Sequence, residues 1–454
     1  MNFDYKKGFP VNPDAPSGSL EENVDYIDNG TDIISAEGYH SKDWMQKEWD
    51  NMWTRIWLST GFASDLEEVG DYYVWDFMKE SFIIVLAAPG EIKAYYNVCP
   101  HRGNRIAVNE SGSVFDGFTC AFHYWEFNLD GTIKNVTDRE TFRDGVLDGD
   151  LGLVEVHCDS VAGMVFINMD ENPGPLREQL GTLVDHLELF GIENMKVVKE
   201  SESEWECNWK AAVDVFTEAY HVQAIHPEII QSMDDYHLQW DMYENGCSRF
   251  ILKQNTLGPR VDDHSKLTDD LKFFLNDTGI DPETFEGGPE DVSAAIVAKR
   301  REWAAEYGLD YSNMPDSVLT SNYNYTMFPN MTLNMHPDAC VILMFRPHRT
   351  DPTRVHFRLF FLVKPSTDPD HKLPAYVGNF EGVDFSGNTR PARQYYPPAH
   401  PDFGGIIMTQ DYDNIACVQR GLGSRAYKGM RLSEQEQRMR HYLAEIERYV
   451  MGKK

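Results

Sequence analysis

Hydrophobic and polar positions change their rhythm twice along this chain. Through about residue 40 the positions are polar and rich in Pro, Gly and Asp, and a short helical stretch follows at SKDWMQKEWDNMW. From RIWLSTGF to about GMVFINMD, short runs alternate apolar and polar with turn signals between them, the pattern of half-buried strands. FNLDGTIKNV is a hairpin by its own chemistry, since Asp130–Gly131 suits a tight turn between two β runs. After NPGPL the pattern reads as helical through residue 226 and is mixed beyond it. β-Branched and aromatic residues predict strands at MTLNM, CVILMF and VHFRLFFLV. Residues 255–318 are acidic and polar, with one helix at DVSAAIVAKRREWAAEYG. The chain closes on an amphipathic helix whose capping box is Ser433 with Glu436. These shifts divide the chain into an N-terminal segment, 1–54, a β-rich domain, 55–170, and a mixed domain, 171–454, an α+β protein.

Composition narrows the classes. With 42% hydrophobic residues, 454 positions can bury a sizeable core. A balance of 41 basic against 73 acidic residues, formally −32, argues against nucleic acid as a partner, because that role wants a basic face. Seven cysteines spread over the chain make no disulfide framework. The start, MNFDYKKGFPVNPDAPSG, has no apolar signal core, and no run approaches the roughly 18 apolar residues of a membrane span. We expect a cytoplasmic protein without a membrane partner, whose thiolates are free to bind metal.

Those thiolates matter in CPHRGNRIAVNESGSVFDGFTCAFHYW. Cys99 and His101 lie two apart, 18 residues intervene, and Cys120 and His123 lie three apart. Each short arm offers one thiolate and one imidazole. Tetrahedral zinc could use the same four ligands, but zinc ribbons usually pair cysteine with cysteine on each arm. Two cysteines on one iron and two histidines on the other is the Rieske [2Fe-2S] arrangement. A second constellation, FTEAYHVQAIHPE, sets His221 and His226 five apart. Five residues advance an ideal helix by about 140°, so both cannot aim at one metal from a regular helix. The helix must distort or end between them, and Pro227 favours an end, because proline disfavours α geometry at the residue before it.

With both constellations in one chain, the sequence resembles the α (oxygenase) subunit of Rieske non-heme iron oxygenases, the ring-hydroxylating dioxygenases. The pattern C-x-H-x18-C-x2-H, flanked by NVCPHRGNR and HYW, is similar to that family's cluster motif. The departure is Tyr124, where most members carry glycine. The resemblance implies an all-β Rieske domain plus a helix-grip (START/SRPBCC-like) catalytic domain built on an antiparallel sheet. It implies a mononuclear iron(II) held by His221, His226 and one carboxylate, since CNWKAAVDVFTEAYHVQAIHP resembles the segment carrying the histidine pair. The third ligand is placed by GIIMTQDYDNIACVQRGLGS: an acidic residue eight before a glutamine, counted from Gln419, gives Asp411. Asp413 is the competitor, with helix N-capping as its structural reading.

Two histidines and a carboxylate on one face leave positions open for O2 and substrate. The chain has no glycine-rich dinucleotide fingerprint, so the implied electron donor is a separate NAD(P)H reductase, with or without a ferredoxin between. Glu218, three before His221 and on nearly the same helix face, matches the family's carboxylate that bridges a cluster histidine of one subunit to an iron-ligand histidine of its neighbour. That bridge implies an α3 homotrimer, or α3β3 with a β subunit. Most ring dioxygenases have aspartate there, and glutamate is more familiar in relatives acting on quaternary amines. Asp214, seven before His221, looks like a residue of the pocket or of the shell behind the ligands. Phe328, Met331 and Met335 are candidate apolar liners. No cluster of arginines stands out that would clamp a small dicarboxylate. The expected reaction is therefore hydroxylation, as cis-dihydroxylation, of a hydrophobic aromatic or polycyclic substrate. Monooxygenation or demethylation of an amine or ether is the alternative, and an electron-transfer protein without oxygenase activity a second one.

Overall fold

The computed structural model describes residues 8–307, 309–366 and 383–454, and they form the α+β protein that the pattern predicts. Trp49–Gln179 is one compact unit. Its strands are β1 Leu58–Phe62, β2 Asp71–Phe77, β3 Glu80–Ala88, β4 Glu91–Tyr96, β5 Ser111–Ser113, β6 Phe118–Thr119, β7 Glu126–Phe127, β8 Ile133–Asn135, β9 Glu155–Val161 and β10 Met164–Asn168. Seven of them make an antiparallel sheet in the order β1-β10-β9-β4-β3-β2-β5, and β6-β7-β8 make a second. The β7–β8 hairpin turns at Asp130–Gly131 as its chemistry requires. Gly131 has a φ of +82°, and a Cβ there would meet the Tyr95 ring at 2.4 Å, so both backbone and space demand glycine. Ile83, Val85, Tyr95, Phe118, Trp125 and Phe127 form a buried core that also encloses Cys99 and Cys120. The two Cys/His loops thus hang from a packed base rather than from free coil.

Residues up to Glu48, together with Leu180 onwards, make the other unit. Its strands are β11 Lys196–Trp205, β12 Gln239–Met242, β13 Ser248–Lys253, β14 Ser321–Met327, β15 Met331–Met335, β16 Ala339–Pro347, β17 Val355–Val363 and β18 Gln394–Tyr396. They form one sheet in the order β12-β13-β14-β15-β16-β17-β11-β18, antiparallel except where β11 meets β18. The strands predicted at MTLNM, CVILMF and VHFRLFFLV lie in β15, β16 and β17. The helix Trp209–Val215 packs on β16 and β17, and the long helix Pro401–Leu422 packs on β11 and on Trp209–Val215. The last helix, Gln437–Val450, follows the Ser433–Glu436 capping box and lies against β12 and β13.

Two expectations are corrected. The helical reading through residue 226 is interrupted by β11, KVVKESESEW, whose lysines and glutamates suit a helix when taken locally. Tertiary partners decide otherwise. Glu200 pairs with Arg358 across the sheet, with Arg390 at 2.7 Å and with Arg393 at 2.6 Å, while Glu202 meets Arg346 at 2.7 Å. Burial would raise the Glu200 carboxyl, but these guanidinium groups hold it down to about 2. The fold therefore does gather arginines, and commits them to its own carboxylates. Residues 255–318, in turn, hold a second helix, Asp269–Asp277. Its Leu271 and Leu275 are buried with Val292 and Ile296 of the expected helix, Val292–Glu306.

Candidate metal centres

In the β-rich unit, the turn after β4 carries Cys99 and His101, and the turn between β6 and β7 carries Cys120 and His123. Backbone bonds brace both: Cys99 N to Asn104 O at 2.8 Å, and Cys120 N to Trp125 O at 2.8 Å. The two thiols are buried, and the imidazole rings lie 4.6 Å apart between centroids. Trp125 stacks on His101 at 4.9 Å and 5°, fixing that ring's plane. His101 Nδ1 and His123 Nδ1 are buried with no hydrogen-bond partner among the described residues, as atoms awaiting a metal would be. Burial works against the Cys120 thiolate, yet the N–H groups of Phe122 and His123 and the Asn104 side chain lower its pKa. The residues fit a cluster held by two thiolates and two Nδ1 atoms. Tyr124, where glycine is usual, sits at a φ of +57° with its side chain exposed. Such a conformation costs a non-glycine residue about 1–2 kcal/mol.

The second centre begins where a helix stops. Asn208 caps the helix Trp209–Val215, its side chain accepting from Lys210 N at 2.9 Å. The helix ends at Phe216, and a new turn of helix, Val222–Ile225, lies between the two histidines. His226 falls outside it, at a φ of −120°, directly before Pro227. The end that Pro227 favours thus falls at His226, while a separate break precedes His221. His226 Nε2 stands 3.0 Å from Asp411 Oδ1, and His221 Nε2 stands 3.8 Å from the same oxygen. The two rings meet at 78°. Ligands at right angles on a metal with bonds of about 2.1 Å lie about 3 Å apart, a spacing that His226 and Asp411 match; His221 stands further out, with all three donor atoms within 4.8 Å of one another.

Each imidazole is oriented from behind. Glu218 Oε1 accepts from His221 Nδ1 at 2.6 Å, and Glu218 Oε2 accepts from the His221 backbone N–H at 3.1 Å. Gln410 Oε1 accepts from His226 Nδ1 at 2.8 Å, and Gln410 Nε2 donates to Glu228 at 2.9 Å. Both Nε2 lone pairs are therefore turned toward the metal position. Gln410 escaped the sequence reading, although it directly precedes Asp411. Asp413 lies about 200° further round the same helix and is exposed, far from any N-cap, since His400 caps that helix. Neither ligation nor capping is its role.

Asp214 touches neither histidine. It is buried on the inner side of the helix Trp209–Val215, where Tyr39 Oη donates to its Oδ2 at 2.7 Å and its Oδ1 has no partner among the described residues. Burial pushes its carboxyl up to about 7, against the pull of Tyr39 and of Lys210, while Glu218 and Glu436 add to the rise. An unfolded aspartate ionises near 3.8. The stability owed to the native proton is thus present below about pH 4 and lost as the pH rises through about 7. Asp214→Asn is expected to flatten that loss. By denaturant unfolding it should gain on the wild type between pH 5 and 8 by a few kcal/mol, on the order of 1.4 per pKa unit. A wild-type-minus-variant difference that stays constant over this range would mean that Asp214 ionises normally.

The three candidate liners are buried, but Phe328 stacks on Tyr449 of the last helix at 5.8 Å, a core contact rather than a pocket wall. An aromatic run in the core was missed by sequence: Tyr412, Trp205, Phe357, Phe345 and Phe216 touch in succession, with centroids 4.5–5.8 Å apart. It joins the neighbour of Asp411 to the end of the Trp209–Val215 helix. Another possible ligand set, Glu204, His348 and His356, lies on β11, β17 and the turn before β17. Its imidazoles stack at 24°, so their in-plane lone pairs diverge, and His348 Nδ1 accepts from two backbone N–H groups at 3.0 and 3.2 Å. Arg354 already occupies Glu204.

Comparison with known proteins identifies the two domains. The family model for the ring hydroxylating alpha subunit (catalytic domain) matches residues 192–452, and that for the Rieske [2Fe-2S] domain matches residues 56–147. Among curated proteins, the carnitine monooxygenase oxygenase subunit of Acinetobacter pittii (strain PHEA-2) is 30% identical over 236 residues, 50% of this chain and 62% of that protein. The carnitine monooxygenase oxygenase subunit of Escherichia coli (strain K12) is 32% identical over 48% of this chain and 59% of its own length. The glycine betaine monooxygenase oxygenase subunit of Pseudomonas aeruginosa (strain UCBPP-PA14) is 30% identical over 41% of this chain and 42% of its own. The matches thus span at most about three fifths of these relatives. Among solved structures, a quaternary ammonium Rieske monooxygenase superposes with a TM-score of 0.66 at 18% identity, covering 93% of this chain and 96% of that one. Naphthalene 1,2-dioxygenase superposes with a TM-score of 0.62 at 20% identity, covering 93% and 94%. At such identities these two likenesses speak for the fold alone.

Proposed function

Since this chain belongs to the family of Rieske ring-hydroxylating oxygenase α subunits, with a Rieske cluster and a mononuclear iron as its cofactors, we propose that it is a terminal oxygenase that monooxygenates a quaternary-ammonium substrate. The observation that carries the oxygenase reading is the convergence of His221 Nε2, His226 Nε2 and Asp411 Oδ1 on one point, with nothing in the donor set to close the opposite face. A domain reduced to electron transfer has no need of such a convergence, which speaks against the second alternative.

When bound, the iron supplies O2 activation with electrons delivered one at a time from the cluster. The chain's own residues do the rest. His221, His226 and Asp411 hold one face, and Glu218 and Gln410 fix the imidazole tautomers. The substrate class is supported by the carnitine and glycine betaine relatives and by glutamate, rather than aspartate, at position 218. It takes the place of the aromatic cis-dihydroxylation expected from the sequence. Electrons would come from a separate NAD(P)H reductase, and Glu218 would pass them on from the cluster of a neighbouring subunit in a trimer. Among the described residues no helix is long and apolar enough to cross a membrane.

Turnover under labelled O2 with trimethylammonium compounds and with naphthalene tests the reading. One labelled oxygen in the product of a quaternary amine, the other in water, is the expected result. Two labelled oxygens in a cis-diol of the aromatic compound would restore the dihydroxylation reading.

A further inference from the structure

Arg438, near the start of the last helix, is 3% exposed and meets no carboxylate. Its six hydrogen bonds all end on neutral oxygens. Nε donates to Ser248 Oγ at 3.0 Å, Nη1 to Asn324 Oδ1 at 3.1 Å and to Thr217 O at 2.8 Å. Nη2 donates to Thr326 Oγ1 at 2.9 Å and to both oxygens of Asn324 at 3.1 and 3.4 Å. The guanidinium also lies 4.7 Å over the Phe250 ring. The contrast with its neighbour Arg249 is direct, because Arg249 holds Asp241 through two donors at 2.6 and 2.9 Å. Burying an unpaired cation costs several kcal/mol, and burial lowers the Arg438 pKa to about 9. A neutral side chain could bond two strands at less cost.

What the fork reaches beyond the sheet is the carbonyl of Thr217. That residue ends the first half of the iron-site segment: its hydroxyl turns back to Val213 O and Asp214 O, and its own side chain is fully buried. The next residue is Glu218, whose two oxygens hold the ring and the backbone of His221. Only a planar donor of this length grips β13, β14 and the turn at once, which lysine's single ammonium cannot do.

We propose that Arg438 is a positioning residue for the iron site: by holding the Thr217 carbonyl it fixes the turn that aims Glu218 at His221. This rests on the assignment of His221 as an iron ligand. The test uses the full chain with its cluster loaded, in the variants Arg438→Lys and Arg438→Gln, and Thr326→Val as a control that loses one bond to the same guanidinium. Iron(II) titration of the mononuclear site and the electron paramagnetic resonance of its nitric oxide complex are read alongside thermal melting. Both Arg438 variants should bind iron(II) at least about tenfold more weakly, with a shifted nitric oxide signal and an unchanged cluster spectrum. Thr326→Val should lower only the melting temperature. In a Glu218→Ala background, the added effect of Arg438→Lys on iron affinity should vanish, because the two act in series. Wild-type iron affinity and signal in the Arg438 variants would overturn the inference, and so would an equal shift in Thr326→Val. A wild-type chain that binds no iron beyond its cluster would sink the ligand assignment itself.

Discussion

Replacing Asp411 with alanine is expected to empty the mononuclear site and abolish oxygenation, while the cluster's absorption survives. Iron should fall from about three per chain to about two, the pair in the cluster. Asp411 supplies the carboxylate of the proposed triad, and the alanine leaves that donor set, at a position only 1% exposed, without an acid. Losing a partner behind a ligand costs 10–100-fold in metal affinity, and losing the ligand itself should cost more than that. The alanine also leaves His226 Nε2 without its 3.0 Å neighbour, so Asp411→Asn, which keeps the volume, separates metal loss from a loosened core. Asp413→Ala, on the exposed face of the same helix, is the internal control and should retain iron and turnover. Metal analysis with the visible spectrum decides the matter: full iron and activity in Asp411→Ala would remove the carboxylate from the triad.

The parts of this architecture that were legible in advance are those whose signal is local. The Cys/His arms are read from spacing because a cluster needs both arms within one loop each, and the β7–β8 hairpin is read from two residues. The break around His221 and His226 follows from helical geometry and Pro227, although its placement before His221 does not. Asp411 could be reached only through resemblance, since it lies 185 residues from His226 and no spacing rule spans that gap. β11 was misread for the same physical reason. Its glutamates are helix formers until Arg358, Arg390 and Arg393 arrive from positions 158–193 residues away. The aromatic run draws on β11, β16, β17, the middle of the helix Pro401–Leu422 and the end of the helix Trp209–Val215, and the Tyr39 hydroxyl meets Asp214 across 175 positions. Pairing at such distances is a property of the fold, and local pattern carries no trace of it.

Glu218→Gln is the sharpest test of how the two centres communicate. Glutamine keeps an oxygen that can accept from His221 Nδ1, so the imidazole holds its tautomer and the iron should stay bound. The second oxygen becomes an amide that faces the His221 backbone N–H, donor against donor, and the negative charge is gone. If this carboxylate couples His221 to a cluster histidine of a neighbouring subunit, both ends of that link weaken together. A hydrogen bond to a charged group is worth about 1.5–3 kcal/mol, so the step should slow by about 10- to 150-fold. Electrons should enter the cluster at a normal rate and leave it slowly. Rapid mixing of the reduced variant with O2 and substrate, followed at the cluster's absorption, reads this directly, because a stalled cluster stays reduced while iron analysis remains normal. Glu218→Asp is the companion, with the charge kept and the reach cut by one methylene. If reach as well as charge matters, it should recover only part of the rate. Reoxidation at the wild-type rate with full product yield in Glu218→Gln would confine Glu218 to orienting His221, and electrons would then have to reach the iron by another path.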